Sequence, residues 1–353
     1  MAYTTIDDPS AHFQTMAYTG NASVRSLTND GNSDLQPDLV WIKKRSATGN
    51  HQAYDSTRGV TAGIYPHLDN VEETLSNRVT SFDSDGFSTA NEDANNDGAT
   101  YVAWQWKANG GTTASLSAGD ITATSQVNTT AGFNILTYTG SGTIDDTIEH
   151  ALGAVPDVMI FKSVSGSDEA WIVWHSAIGD NGYLILNTTA AKGSAATWFL
   201  NDTAPTSTRI TLGNGGTTND ASLSPPNTYI CYAWTEIQGY SKFGGYTGNG
   251  NADGPFIYTG FKPAWIMIKN LASGESWEMW DNARDPHNVL KKRLKADTNG
   301  AEHATGTFMD FVSNGVKHRN YSGGHNNNGE SYIYMAFAEN PFVTSGGVPC
   351  TAR

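Results

Sequence analysis

Three short runs, YVAWQW (101–106), YICYAW (229–234) and YIYMAF (332–337), alternate with the period of two that a β-strand imposes. One face of each carries Val102, Trp104 and Trp106, or Ile230, Tyr232 and Trp234, or Ile333, Met335 and Phe337. The opposite face is also apolar, as in Tyr229, Cys231 and Ala233, which predicts central strands covered on both sides. Turn signals such as NDG (29–31), SDG (84–86), NDG (96–98) and NNG (327–329) recur at short intervals and supply residues that tolerate positive φ. One helix is predicted, from Asp285 and Pro286 through VLKKRLK (289–295), where an acidic cap precedes proline and basic residues come late.

The same landmarks occur three times in the same order. YTG stands at 18–20, 138–140 and 246–248, and 17 to 19 positions after each tyrosine a proline opens an apolar strand: PDLVWIK (37–43), PDVMIFK (156–162) and PAWIMIK (263–269). Eleven or twelve residues past each lysine stand Tyr54 and Asp55, Trp174 and His175, or Trp280 and Asp281, and each set ends on its closing aromatic run. A recurring order of landmarks is the signature of internal repeats. The expected fold class is all-β, with three tandem β-sandwich modules of jelly-roll type, roughly 100 residues each: 1–108, 133–239 and 240–342. Residues 109–132, rich in Gly, Ser, Thr and Ala, read as a linker or an added edge segment, and 343–353 as a C-terminal tail. The short junction EIQGYSKFGG (236–245) predicts that the second and third modules pack on each other more than on the first.

Composition narrows the function. The formal charge of −14 disfavours a phosphate backbone or an anionic membrane face, so nucleic acid is not expected as a partner. The two cysteines, Cys231 and Cys350, lie far apart and suit free thiols in a reducing compartment. A secretory leader and a run of about 18 apolar residues are both missing, so neither export nor membrane insertion is expected.

The three sets of landmarks, with IDDPSAHFQTMAYTGN (6–21), HALGAVPD (150–157) and MAFAENPFVTSGGVPCTAR (335–353), resemble the repeated modules of structural and tail-fibre-like proteins of marine tailed bacteriophages. Ala151 stands where such a turn usually has glycine. The resemblance implies a virion component assembled in the host cytoplasm, shown as a fibre, tail appendage or capsid decoration. It implies contacts with other virion proteins and a homo-oligomer, a trimer in a fibre, and it transfers no catalytic residue.

Candidate chemistry is sparse. Asp93, Asn95 and Asp97 before Gly98 match the first half of a calcium loop, although Trp104 occupies the twelfth position where the bidentate glutamate belongs. An ordinary turn and a calcium site are the two readings, and no other cofactor is expected. Trp171 with Trp174, and Trp277 with Trp280, are three apart on predicted strands, so the members of each pair face opposite ways. One ring of each pair is a candidate for stacking on host surface polysaccharide or for burial in a subunit interface, and cover by neighbouring loops or modules is the alternative. His318 and His325 lack zinc-site spacing, and Glu275, Glu278 and Asp281 do not put two carboxylates on a common face. No serine elbow or phosphate loop occurs. The expectation is a non-enzymatic virion protein that aids attachment by multivalent contacts. Its rivals are a carbohydrate-binding module protein of a cell and a polysaccharide depolymerase.

Overall fold

The computed structural model describes residues 2–194 and 197–351. It is all-β, and among these residues helix is confined to two 3-10 turns, Pro9–Ala11 and Ser176–Ile178. Three antiparallel sheets dominate, and each has the same inner order of opening, closing, proline and crossing strand. In the first these are Phe13–Thr19, Thr100–Trp106, Leu39–Lys44 and His51–Asp55. In the second they are Phe133–Thr139, Thr228–Trp234, Val158–Ser163 and Ile172–His175. In the third they are Ser241–Thr247, Ser331–Pro341, Phe261–Asn270 and Glu278–Asp281.

A smaller sheet lies over the outer face of each. Arg25–Leu27, Gly86–Thr89 and Val79–Asp83 cover the first, Thr147–Glu149 and Arg209–Thr211 the second, and Phe256–Tyr258, Gly315–His318 and Met309–Val312 the third. Three separate outer cores fill these sandwiches, built on Tyr101 and Ala103, on Tyr229, Cys231 and Ala233, and on Tyr332, Tyr334 and Ala336.

The inner faces share a fourth core. Val102, Trp104 and Trp106, Ile230, Tyr232 and Trp234, and Ile333, Met335 and Phe337 all belong to one apolar cluster drawn from the three sheets. The final ring of each closing strand reaches its middle: Trp106 lies 6.2 Å from Trp234 and 5.7 Å from Phe337, centroid to centroid. The sheets therefore stand as three walls around one interior, with every closing strand covered on both faces as its alternation predicts.

Three expectations change. The modules do not pack as a close pair plus a distant third, because the inner core joins all of them. Residues 109–132 are not a free linker: Ala123–Asn128 pairs with the second opening strand and Ala114–Leu116 pairs with it in turn, so this is the added edge segment. The helix predicted over 285–295 does not form. Leu290 N–H goes to Met309 O, Arg293 N–H to His303 O, and one carboxylate oxygen of Asp285 accepts the N–H groups of Lys291 and Lys292, so four consecutive donors are drawn away from an i→i−4 ladder. Residues 343–351 of the tail fold back through a Val343–Pro349 bridge and a Cys350 N–H to Phe342 O bond.

Because one core serves three sheets, Trp106→Ala is expected to cost about 3–5 kcal/mol, as for other large core rings, and urea unfolding should stay a single transition. Tryptophan fluorescence and far-UV circular dichroism followed together check this; two separated transitions would mean that the sheets fold independently.

Candidate functional site: the seams between the sheets

The YTG motifs explain how each sheet is held in shape. Tyr18 stacks on Tyr101 with ring centroids 5.1 Å apart, Tyr138 on Tyr229 at 5.3 Å, and Tyr246 on Tyr332 at 5.0 Å. The first hydroxyl of each pair donates to a loop carbonyl, that of Ala94, Thr218 or His325. A fully buried asparagine follows that carbonyl each time. Asn95, Asn219 and Asn326 accept through Oδ1 from the N–H of Asn21, Ser141 and Asn249, the residues after the three YTG motifs. Their Nδ2 groups donate to carbonyls on both sides of the loop, such as Ser23 and Ala90 for Asn95. The motif glycine is required by close approach, since a Cβ at Gly20 would lie 2.0 Å from Asn96 O.

Where two sheets meet, polar groups cross the seams in a cyclic pattern. His51 Nε2 donates to Lys295 O, Trp171 Nε1 to Tyr65 O and Leu68 O, and Trp277 Nε1 to Ile185 O, each at 2.9 or 3.0 Å. The terminal lysines of the proline strands follow the same circuit. Lys43 Nζ reaches Asn299 O at 3.3 Å, Lys162 reaches Asp69 O at 3.0 Å, and Lys269 reaches Thr189 O at 2.9 Å. Burial pushes all three lysines down to about 8.

A second set joins the last residue of each crossing strand to the other neighbouring sheet. Asp55 accepts from Tyr232 Oη at 2.7 Å and Asp281 from Trp104 Nε1 at 3.0 Å, and each carboxylate is also held by an arginine three residues on, Arg58 or Arg284, at 2.6 Å. At the third seam the facing residue is Met335, which has no donor. There the aspartate position holds His175, whose Nε2–H donates to Tyr334 O at 3.1 Å, and the arginine position holds Ile178. With no arginine to balance it, a carboxylate there would be a buried unpaired charge. A neutral imidazole avoids that, and burial pushes His175 down to about 4.

The family model described as a domain of unknown function, DUF7483, matches residues 8–341. The chain belongs to the DUF7483 family. No curated protein and no solved structure matches it. The match spans all three sheets and the inner core, so this family's unit is the whole three-walled body and not one wall of it.

The tryptophan pairs do face opposite ways, Trp171 and Trp277 into the inner core and Trp174 and Trp280 into outer cores. None is available for stacking on a sugar, because exposure is 2% or 3% for Trp171, Trp174 and Trp277 and 0% for Trp280. Trp171 and Trp277 are covered by the other sheets at the inner core, and Trp174 and Trp280 by the outer layer of their own sandwiches. Asp93, Asn95 and Asp97 do not converge as a calcium loop either. Asn95 turns inward as the clamp, Asp93 pairs with Arg78 at 2.9 Å, and Asp97 is exposed. Among the described residues no group of three His, Cys, Asp or Glu is placed to hold a metal ion.

His318 and His325 do come together, with rings stacked 5.5 Å apart, and Glu278 bonds His325 at 2.8 Å and Arg293 at 2.6 Å. The cluster is sealed, since His318, His325 and Glu278 are all buried. Cys231 is free and buried, which pushes its thiol up. A roomy cavity lies elsewhere. A cleft of about 700 Å³ runs between the first opening strand and the third sheet, with Thr15, Met16 and Ala17 on one wall and Asn282, Ala283 and Pro286 on the other. Sequence reasoning missed it, because its walls lie far apart in the chain and carry no motif.

Two outcomes follow from the seams. Asp281→Ala should cost about 3–5 kcal/mol by leaving Arg284 buried without its nearest partner, whereas Asp281→His with Arg284→Ile, the pair found at the third seam, should cost less than the single change in a urea titration. His67 and His175 are both pushed down to about 4 by burial from an ordinary 6.5. Between these values the unfolded chain binds protons that the folded chain does not, so stability falls as pH falls through that window. A urea midpoint measured from pH 7 to pH 4 should drop accordingly, and His175→Gln should flatten the drop.

Proposed function

We propose that the protein is a non-catalytic structural component of a phage-type particle, one chain that builds a three-walled body and presents its outer sheets and loops to neighbouring particle proteins. The observation that carries this reading is the use of its chemistry. The aromatic rings and buried ionisable groups that could form a site are consumed in closing the inner core and the seams. The resemblance of the landmarks to phage structural modules supplies the setting. The recurrence of order, clamp and seam contacts supports descent of the three walls from one unit, and repeated faces raise local concentration so that weak contacts sum to firm attachment.

A second reading, contact with host surface polysaccharide, is favoured by one observation only. Phe256 and Tyr258 alternate on an outer strand and are 47% and 53% exposed, giving two rings on one face. Immunogold labelling and mass spectrometry of purified particles test the first reading: the protein should be present and label one part of the particle, and absence from particles would overturn it. Phe256→Ala with Tyr258→Ala separates the second, since reduced adsorption by intact particles is its expected outcome.

A further inference from the structure

The three seams treat the free edge of an opening strand in three different ways. At the second sheet the edge is filled. Ala123–Asn128 adds antiparallel to Phe133–Thr139, with Gln126 opposite Ile135, and Gln126 Nε2 donates to Ser56 Oγ and Thr57 Oγ1 of the first sheet's D-S-T-R turn, each at 2.9 Å. At the third sheet the edge is closed by direct contact, where the turn Ser176–Ile178 packs against the opening strand and Ala177 comes nearest at Gly245. At the first sheet no strand is added among the described residues, and the opening strand ends the sheet.

That open edge faces the 700 Å³ cleft, and its far wall is the D-N-A-R turn that corresponds to D-S-T-R. Bonds from Gly20 N–H to Ala99 O, Gly98 N–H to Gly20 O and Lys107 N–H to His12 O turn the even-numbered backbone groups toward the closing strand. The N–H and C=O groups of Thr15 and Ala17 therefore point away from it, into the cleft, in the manner of a sheet edge ready to accept a strand.

We propose that this cleft is a strand-addition site, which takes an extended, uncharged segment of a partner polypeptide antiparallel to Phe13–Thr19. The segment that fills the equivalent edge defines the occupant. It is six residues of alternating character, with the small Ala123 and Ser125 on the face toward the outer core and the carboxamide of Gln126 on the face toward the seam. At the open edge Thr15 stands where the filled edge has Ile135, and Thr15 Oγ1 already bonds Asn282 Oδ1 at 2.6 Å, so the seam-facing side chain of the occupant is polar as Gln126 is. The cleft is lined by Asp30 and by Glu339, whose carboxylate is paired with Lys262 at 2.8 Å and accepts from Asn282 Nδ2, so Glu339 is already balanced and Asp30 disfavours an acidic occupant. Main-chain bonds supply affinity and alternate side chains supply specificity, as in other strand additions. The site does not rest on the function proposed above.

A fluorescein-labelled peptide ITATSQVNTT, copied from residues 121–130, is the probe, with a scrambled peptide as control. Fluorescence anisotropy should show saturable binding of the first peptide and none of the second. Ala17→Pro removes a donor that the closing strand does not use and should weaken binding at least about tenfold, equivalent to about 1.4 kcal/mol, with the melting temperature unchanged. Ala283→Trp fills the far wall and should have the same effect, which keeps the test decisive if the proline variant folds poorly. Failure of the wild-type protein to bind, or equal binding by both variants, would overturn the proposal. Self-association of the wild type that Ala17→Pro abolishes would also overturn it, assigning the edge to a second copy of the chain.

Discussion

The meeting of Trp106, Trp234 and Phe337 at the middle of the molecule is the constraint on which the other features depend. Three sheets can present large rings to a single interior only if each is tilted toward the others around one axis, and that arrangement leaves three seams to be closed. Each wall has its own outer core, but its inner face is apolar and has nothing to bury against within its own stretch of chain. Separate sandwiches on flexible linkers would expose Trp41, Trp104, Trp171 and Trp265, all of which lie in the inner cluster. Burying that much aromatic surface outweighs the ordering of the connecting segments, and residues 109–132 are accordingly recruited into a sheet.

Closing the seams brings polar groups out of water, and those that cross a seam are matched there, whereas the indole N–H groups of Trp106, Trp234 and Trp265 in the inner core have no partner among the described residues. Buried donors must find acceptors, and the ring and lysine circuits satisfy theirs with backbone carbonyls of the adjoining wall. The carboxylate positions show the coupling most clearly. Aspartate with its arginine is present where the facing closing strand offers Trp104 or Tyr232, and both charges vanish where it offers Met335. Substitutions on three distant segments thus move together because they share one buried contact.

Edges are the other consequence of building walls from open sheets. An unpaired edge invites association, and here one edge is filled from within the chain, one is closed by direct packing of the Ser176–Ile178 turn and one borders the large cleft. The contrast between equivalent edges gives the cleft its meaning, which no single edge would have on its own.

The all-β class, the strand positions, the apolar faces of the closing strands and the opposed directions of the tryptophan pairs were legible in the sequence, because a strand's period of two is local and its turn residues are adjacent. What lay against each face was not. Trp171 looks alike in sequence whether it meets water or Leu68 O, and Asn95 reads as a calcium ligand until its carboxamide is seen clamping Asn21. The basic run after Pro286 has the composition of a helix, but Met309 and His303 claim its backbone groups from outside the segment. By itself the sequence determined which residues form strands and which faces need cover. Only the tertiary structure decided that each wall covers the others, because burial and hydrogen-bond pairing are set by segments that meet from opposite ends of the chain.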